Sequence, residues 1–375
     1  MSEENTPKKH KRHHHHHRHR ELKAFIVVAV SVILVVAIVF VILKLDDILA
    51  GKSTTRKDFE KEHGYVTYNG VEYQKRTQNE LRTYLIGVYH DYGNVSPAND
   101  RNGYEIDFLT VLNVDITEQM YYFTFIDRNT LVQFDHIGRV GDIVGTSKEQ
   151  IAYSSTYAPD MSKGFKNAKN AVSTLLGGAN INCYVLFDYE GLKILNHYIA
   201  DNFGYSALPV QLEKGQDITP LGLSVKKNSK NVVSLEGDDL LLFLQKNPKE
   251  VDPKGENRTL RQIEYLDSFS TFVEGTNITH NPFHDLPEDD PRYSPDEYTD
   301  APLQNLENQL GSHMKQNCVQ YDYYDILDYM SVYEYAGMIV PEGYTEIRND
   351  QPQWIIDEAW LKENVIFQYY YEKAK

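Results

Sequence analysis

The chain has 375 residues, 41% hydrophobic and 25% charged, with 38 basic against 54 acidic side chains for a formal charge of −16. That composition is too apolar for wholesale disorder, and its length suits one large domain or two small ones. Seven basic and three acidic side chains give residues 1–23 a charge of +4, which leaves 31 basic against 51 acidic, or −20, in residues 24–375 and counts against a nucleic-acid-binding body.

The basic tail 1–23 holds seven of the 14 histidines, among them His13 to His17 in a row. Embedded in Lys and Arg, this run reads as a cytoplasmic tail that touches anionic lipid, with specific metal binding as the other reading. Ala24 to Leu43 follow, twenty residues with no charge and Ser31 as the polar exception. A helix of that length rises about 30 Å, the thickness of a bilayer core. A cleaved signal peptide has a shorter apolar stretch, about 7 to 15 residues, so 24–43 is read as an uncleaved transmembrane helix. Lys8, Lys9, Lys11, Arg12, Arg18, Arg20 and Lys23 precede it, whereas Lys44 is balanced by Asp46 and Asp47 beyond it. The positive-inside rule then places the N-terminus in the cytoplasm and everything after the span outside.

Residues 44–80 are polar and are expected to form a stalk, with a hairpin around 65–73. Strand patterns occupy 81–89, 105–114 and 119–126. Phe165, Ala168, Val172 and Leu175 predict a helix over 164–177 that stops at Gly177 and Gly178. A strand at 181–187 leads into a helix near 189–202, so strands and helices interleave around one mixed sheet. Leu260, Ile263, Leu266, Phe269 and Phe272 recur at every third position in a further helix, with Asn257 as its N-cap. Five prolines make 280–302 an acidic loop, and 81–375 is expected to be one domain whose lobe 303–375, mainly helical, packs back on it: one or two helices over 303–338, an extended piece at 343–348 and a last helix from Trp354 to Tyr371. Cys183 and Cys318 permit one bridge, with two unpaired thiols the expectation.

No Gly-x-Ser-x-Gly elbow is present, and the histidines beyond the tail are scattered. Two clusters carry more information. Arg128 emerges where an apolar strand stops, the end at which α/β sheets present functional groups to ligands. Arg258 and Arg261 lie one turn apart at a helix N-terminus, where the dipole disfavours cations. An anion such as phosphate at that helix end accounts for them, as does salt bridging to an acidic surface.

In order and spacing these segments resemble the LytR-CpsA-Psr family of cell-wall proteins over nearly all of 81–375. Leu85 to Tyr89 resembles a first strand ending Gly-x-Asp, with Tyr89 in the Asp place and Asp91 two residues on. Glu105 to Asn113 resembles an Arg-x-Asp-Thr strand that keeps Asp107 but has Glu105 for the arginine. Residues 126–132 resemble Ile-Pro-Arg-Asp-Thr-Leu-Val, keeping Arg128 and Thr130 with Asn129 for Asp, and 152–158 resemble the alanine and tyrosine segment before the next helix. Residues 235–247 resemble a Leu-x-Gly stretch ending Tyr-x-Arg-x-Arg, with Phe243, Gln245 and Asn247 in those places, and 258–262 keep Arg258, Arg261 and Gln262.

The resemblance implies an α/β/α sandwich, a mixed central β-sheet flanked by helices, behind an N-terminal single transmembrane helix in the cell membrane, with the C-terminal domain extracellular. It implies transfer of a glycopolymer from a polyprenyl-pyrophosphate carrier to peptidoglycan with Mg2+. Asp107 and Arg128 would be catalytic. Asp107 and Asp91 would hold the metal, and Arg128, Arg258, Arg261 and Gln262 the pyrophosphate, beside an apolar groove for the prenyl tail. Because Glu105, Gln245 and Asn247 stand at arginine positions, the alternative is a catalytically degenerate relative acting as a cell-wall binding, scaffold or regulatory module.

Overall fold

A computed structural model describes residues 65–93, 101–202, 204–274, 301–319 and 322–372. The tail 1–23, the expected span 24–43 and nearly all of the loop 280–302 lie outside these residues. Among the described residues no helix is long and apolar enough to cross a membrane.

Strands β1 (Tyr65–Tyr68) and β2 (Val71–Lys75) form the hairpin expected near 65–73. Asn69 and Gly70 turn it at φ of 49° and 80°, the left-handed conformation that two-residue hairpin turns favour. Expected within a stalk, the hairpin instead pairs through β2 with Tyr370–Glu372 at the other end of the described chain. Next come β3 (Leu81–Asp91), β4 (Tyr104–Asp115) and β5 (Met120–Ile126), the three strands read from the sequence. β6 (Leu131–Ile137) and β7 (Ile143–Gln150) make a separate hairpin. Helix α1 (Met161–Leu175) opens on Asp160, whose carboxylate accepts the Lys163 N–H at 2.9 Å, and the left-handed Gly177 and Gly178 end it.

β8 (Cys183–Phe187) and α2 (Tyr189–Asn202) are followed by the paired β9 (Leu208–Gln211) and β10 (Val232–Leu235), then α3 (Gly237–Gln245) and α4 (Glu256–Val273). The C-terminal part contributes α5 (Ala301–Leu310), β11 (Met314–Gln316), α6 (Asp322–Val332), β12 (Glu334–Ile339), β13 (Gly343–Arg348), β14 (Gln351–Ile356), α7 (Glu358–Tyr369) and β15 (Tyr370–Glu372).

The central sheet runs β11-β8-β3-β4-β5-β12. β4 is antiparallel to both its neighbours, β8 is parallel to β3, and β12 is parallel to β5, so the sheet is mixed as expected. On one face Val88, Phe108, Phe123 and Val185 pack against α2, α4 and α6 through Ile199, Leu266 and Ile326. On the other, Leu85, Leu109 and Leu186 meet Phe165 and Val172 of α1 and Tyr369 of α7. Cover on both faces is why β4 is buried along nearly its whole length.

Four expectations need correction. The region 334–338, read as helix, belongs to β12, whose backbone pairs with β5. Trp354 does not begin the last helix. It lies in β14 opposite Thr345, and the helix starts later, where Asp357 accepts the Trp360 N–H at 2.8 Å. In α4 the buried stripe includes Arg258, Arg261, Gln262, Tyr265, Leu266, Phe269 and Val273. At 3.6 residues per turn a strict every-third row drifts around the helix, so spacing by three and four prevails. Finally, Cys183 and Cys318 are not free thiols but form a disulfide, which ties the segment after β11 to the central sheet.

Candidate functional site

The site is built on an irregularity between β3 and β4. Val88 pairs with Phe108 and Tyr89 with Ile106, so Asp107 is an extra residue with no partner. Such a bulge breaks the alternation of side chains. Phe108 joins the core beneath α2 and α4, Ile106 the opposite core, and Asp107 turns to the same side as Phe108. Gly87 permits the close approach, since a Cβ there would sit 2.4 Å from the Phe108 carbonyl oxygen.

On that face the charges gather. The Arg128 guanidinium donates to one oxygen of Asp107 and to Glu105, bridging the two carboxylates. The Tyr189 hydroxyl donates to the other oxygen of Asp107, and Gln245 adds a side-chain hydrogen bond. The His90 ring lies 4.2 Å from that of Tyr92 and 5.8 Å from that of Tyr189. Burial raises the pKa of Asp107, against the Tyr189 hydrogen bond and the Arg258 charge, which favour the anion. Burial, with repulsion from Arg258, pulls Arg128 down to about 10, so it stays charged at neutral pH.

Arg258 differs from its neighbours. It stands in the first turn of α4, whose N-cap is Gly255 rather than the expected Asn257; Asp252 accepts the N–H groups of Asn257 and Arg258 at 3.2 and 3.1 Å. The residue is 9% exposed, its Nε has no hydrogen-bond partner, and no carboxylate among the described residues forms an ion pair with it. The amides of Asn129 and Asn247 and the Arg258 guanidinium all approach within 3.6 Å of where a Cβ on Gly255 would stand. The missing side chain therefore leaves a cradle at a helix N-terminus into which Asn129 and Arg258 present N–H donors, while the Asn247 amide nitrogen donates to Asp252 at 3.0 Å.

Arg261 and Gln262, expected to grip pyrophosphate, are engaged elsewhere. Arg261 donates from Nε to the Phe243 carbonyl at 2.6 Å and from Nη2 to the Lys246 carbonyl, satisfying the C-terminal end of α3. Gln262 donates to the carbonyls of Leu244 at 3.0 Å and Asp107 at 3.3 Å. Both hold the scaffold of the site. Asp91, expected beside Asp107, neighbours His90 along β3 and so turns to the opposite face, where its carboxylate accepts the Gly93 N–H at 2.8 Å. Tyr189, His90 and Tyr92 were not singled out from the sequence; the strand-to-helix junction after Phe187 was the available signal for Tyr189.

The donors present do not fit Mg2+. That ion takes octahedral oxygen ligands, usually including one or two carboxylates. Here Asp107 uses its oxygens on Arg128 and Tyr189, Glu105 is held by the same guanidinium, and Asp91 faces away. Among the described residues no group of three or more His, Cys, Asp or Glu is placed to hold a metal.

Next to the charged cluster the sheet and α2, α4, α5 and α6 border an apolar cavity that is partly open to solvent. Phe108, adjacent to Asp107 in the chain, lines it together with Val88, Leu192, Leu266, Phe269 and Leu306. A cationic cradle and an apolar cavity on one sheet face suit a ligand with an anionic head and a hydrocarbon tail.

No protein-family model and no curated protein matches the chain. Solved structures do match. The crystal structure of B. subtilis TagV aligns with a TM-score of 0.52 at 14% identity, over 78% of this chain and 98% of that one. TagT bound to LIIa-WTA aligns at 0.51 with 12% identity, over 82% and 97%. The fold implied by the LytR-CpsA-Psr resemblance is therefore the fold found.

Proposed function

We propose that the chain is a divergent LytR-CpsA-Psr protein that binds a polyprenyl-pyrophosphate-linked glycopolymer and transfers the polymer to peptidoglycan. The observation that carries this reading is Arg258: a buried guanidinium without an acceptor for its Nε, beside the Gly255 cradle and on the side of the sheet that holds the apolar cavity. A buried cation without a counter-ion is costly, and a diphosphate supplies that counter-ion. TagT, similar in fold, has been solved bound to LIIa-WTA, which supports a glycopolymer as ligand. The Cys183–Cys318 bridge supports an oxidising compartment, in line with export behind the apolar span 24–43 in the cell membrane.

In this reading Arg258 binds the diphosphate, Arg128 lies next to it, and the cavity takes the prenyl chain. A sugar hydroxyl of peptidoglycan attacks the phosphorus that carries the glycan, a P–O bond to the acceptor forms, and the anhydride bond to the prenyl phosphate breaks. In this reading Asp107, whose pKa burial raises, takes the hydroxyl proton once Tyr189 or Arg128 gives up one of its oxygens. The leaving prenyl phosphate keeps its charge against Arg258.

One observation favours the alternative, a binding or scaffold module without transfer: Glu105 and Asp107 already occupy Arg128, which leaves fewer cations for transition-state charge. The test incubates the full-length chain in detergent with a radiolabelled polyprenyl-pyrophosphate disaccharide and peptidoglycan fragments, with Mg2+ supplied or chelated. Label in peptidoglycan with release of prenyl monophosphate supports transfer. Tight binding without release supports the alternative, and no binding sinks both.

A further inference from the structure

We propose that Arg128 takes the place of a divalent cation in this site, its guanidinium bridging Glu105 and Asp107 so that an anion is bound beside them without metal.

The geometry is that of a closed charge cluster. A planar guanidinium presents several N–H donors in a rigid fork, and here two of its nitrogens serve two different carboxylates. The side chains of Arg128, Glu105 and Asp107 are 13%, 15% and 3% exposed, so little water is available to replace any partner that leaves. Tyr189 occupies the remaining oxygen of Asp107. Arg128 and Tyr189 thus engage both carboxylates before any ligand enters.

A magnesium ion entering between the carboxylates would have to shed tightly held water and expel the guanidinium. The displaced Arg128 would then approach Arg258, whose charge already depresses its pKa. Glu105 is the residue that decides the outcome. The family pattern has an arginine there; a carboxylate at this position fixes Arg128 against Asp107 instead, which turns a charge that would repel diphosphate into an internal partner.

The inference concerns the cation and does not rest on the lipid reading. Its test measures Mn2+ binding to the full-length chain by electron paramagnetic resonance, with no lipid present. The wild-type chain and Asp107→Asn should bind the same number of Mn2+ ions. Arg128→Gln, with folding checked by circular dichroism, should gain one Mn2+ site, and adding Asp107→Asn should remove it. Loss of a Mn2+ site from the wild type on Asp107→Asn overturns the proposal even if Arg128→Gln does not fold. A folded Arg128→Gln chain that gains no site overturns it as well.

Discussion

Asp107 and Phe108 are consecutive residues of β4 that face the same side of the central sheet, the first held by Arg128 and the second lining the apolar cavity. Ordinary strand alternation would send them to opposite faces. The bulge therefore joins a charged cluster to an apolar cavity within two residues. It depends on Gly87 in the neighbouring strand. Gly87→Ala would press a methyl group against the Phe108 carbonyl oxygen, where a Cβ would stand at 2.4 Å. Thermal unfolding should show a loss of about 1–3 kcal/mol, the range of overpacked core substitutions. An unchanged melting temperature would mean that β4 can move without cost.

Leu306 of α5 is 4% exposed and borders the cavity. Leu306→Trp should fill that space. Affinity for farnesyl pyrophosphate, measured by calorimetry, should fall at least about tenfold, while affinity for inorganic pyrophosphate stays within about twofold. Equal losses for both would place the prenyl chain elsewhere.

The disulfide closes a loop with a sequence separation of 135. Replacing both Cys183 and Cys318 with Ser should lower stability by roughly 2–5 kcal/mol. Urea denaturation reads the effect, and the wild-type chain treated with dithiothreitol should show a similar shift.

Asp115 provides a test by pH. It accepts hydrogen bonds from the Thr117 hydroxyl at 2.7 Å and the Glu118 N–H at 3.1 Å, and it pairs with Arg76 at 2.7 Å. Burial pushes its pKa up, but the Thr117 hydroxyl and Arg76 outweigh burial and hold it below the usual 3.8. A carboxylate with a lowered folded pKa contributes stability above its unfolded pKa and loses it as pH falls through the folded value. Asp115→Asn should therefore cost about 1–3 kcal/mol at neutral pH. Melting curves of the two chains should converge in strong acid. A gap that stays constant down to about pH 2 would contradict the assignment.

The sequence made the layout of the sheet legible because β3, β4, β5 and β8 carry long apolar runs and α1 carries its own cap and glycine stop. It also brought Arg128, Asp107 and Arg258 to attention, and the fold places them together. The bulge at Asp107 was not legible, since it exists only as a mismatch with β3. Nor was the different fate of the α4 residues: Arg258 and Arg261 look alike as a pair one turn apart, yet only contact with the end of α3 makes the second structural. The Cys183–Cys318 pairing arises from the return of the chain to β8 through β11. β12 was missed because its backbone pairing is set by β5, and Trp354 because its strand is defined by β13.

The most direct measurement is the affinity of the full-length chain for farnesyl pyrophosphate, compared with Arg258→Gln. Removing a charged hydrogen-bonding partner of phosphate from a partly dry site costs about 1.5–3 kcal/mol, so affinity should fall roughly 10- to 150-fold. The melting temperature without ligand should stay the same or rise, because a buried cation lacking a counter-ion has been removed. Unchanged affinity in the folded Arg258→Gln chain, or no binding by the wild type, would contradict a diphosphate site at the start of α4.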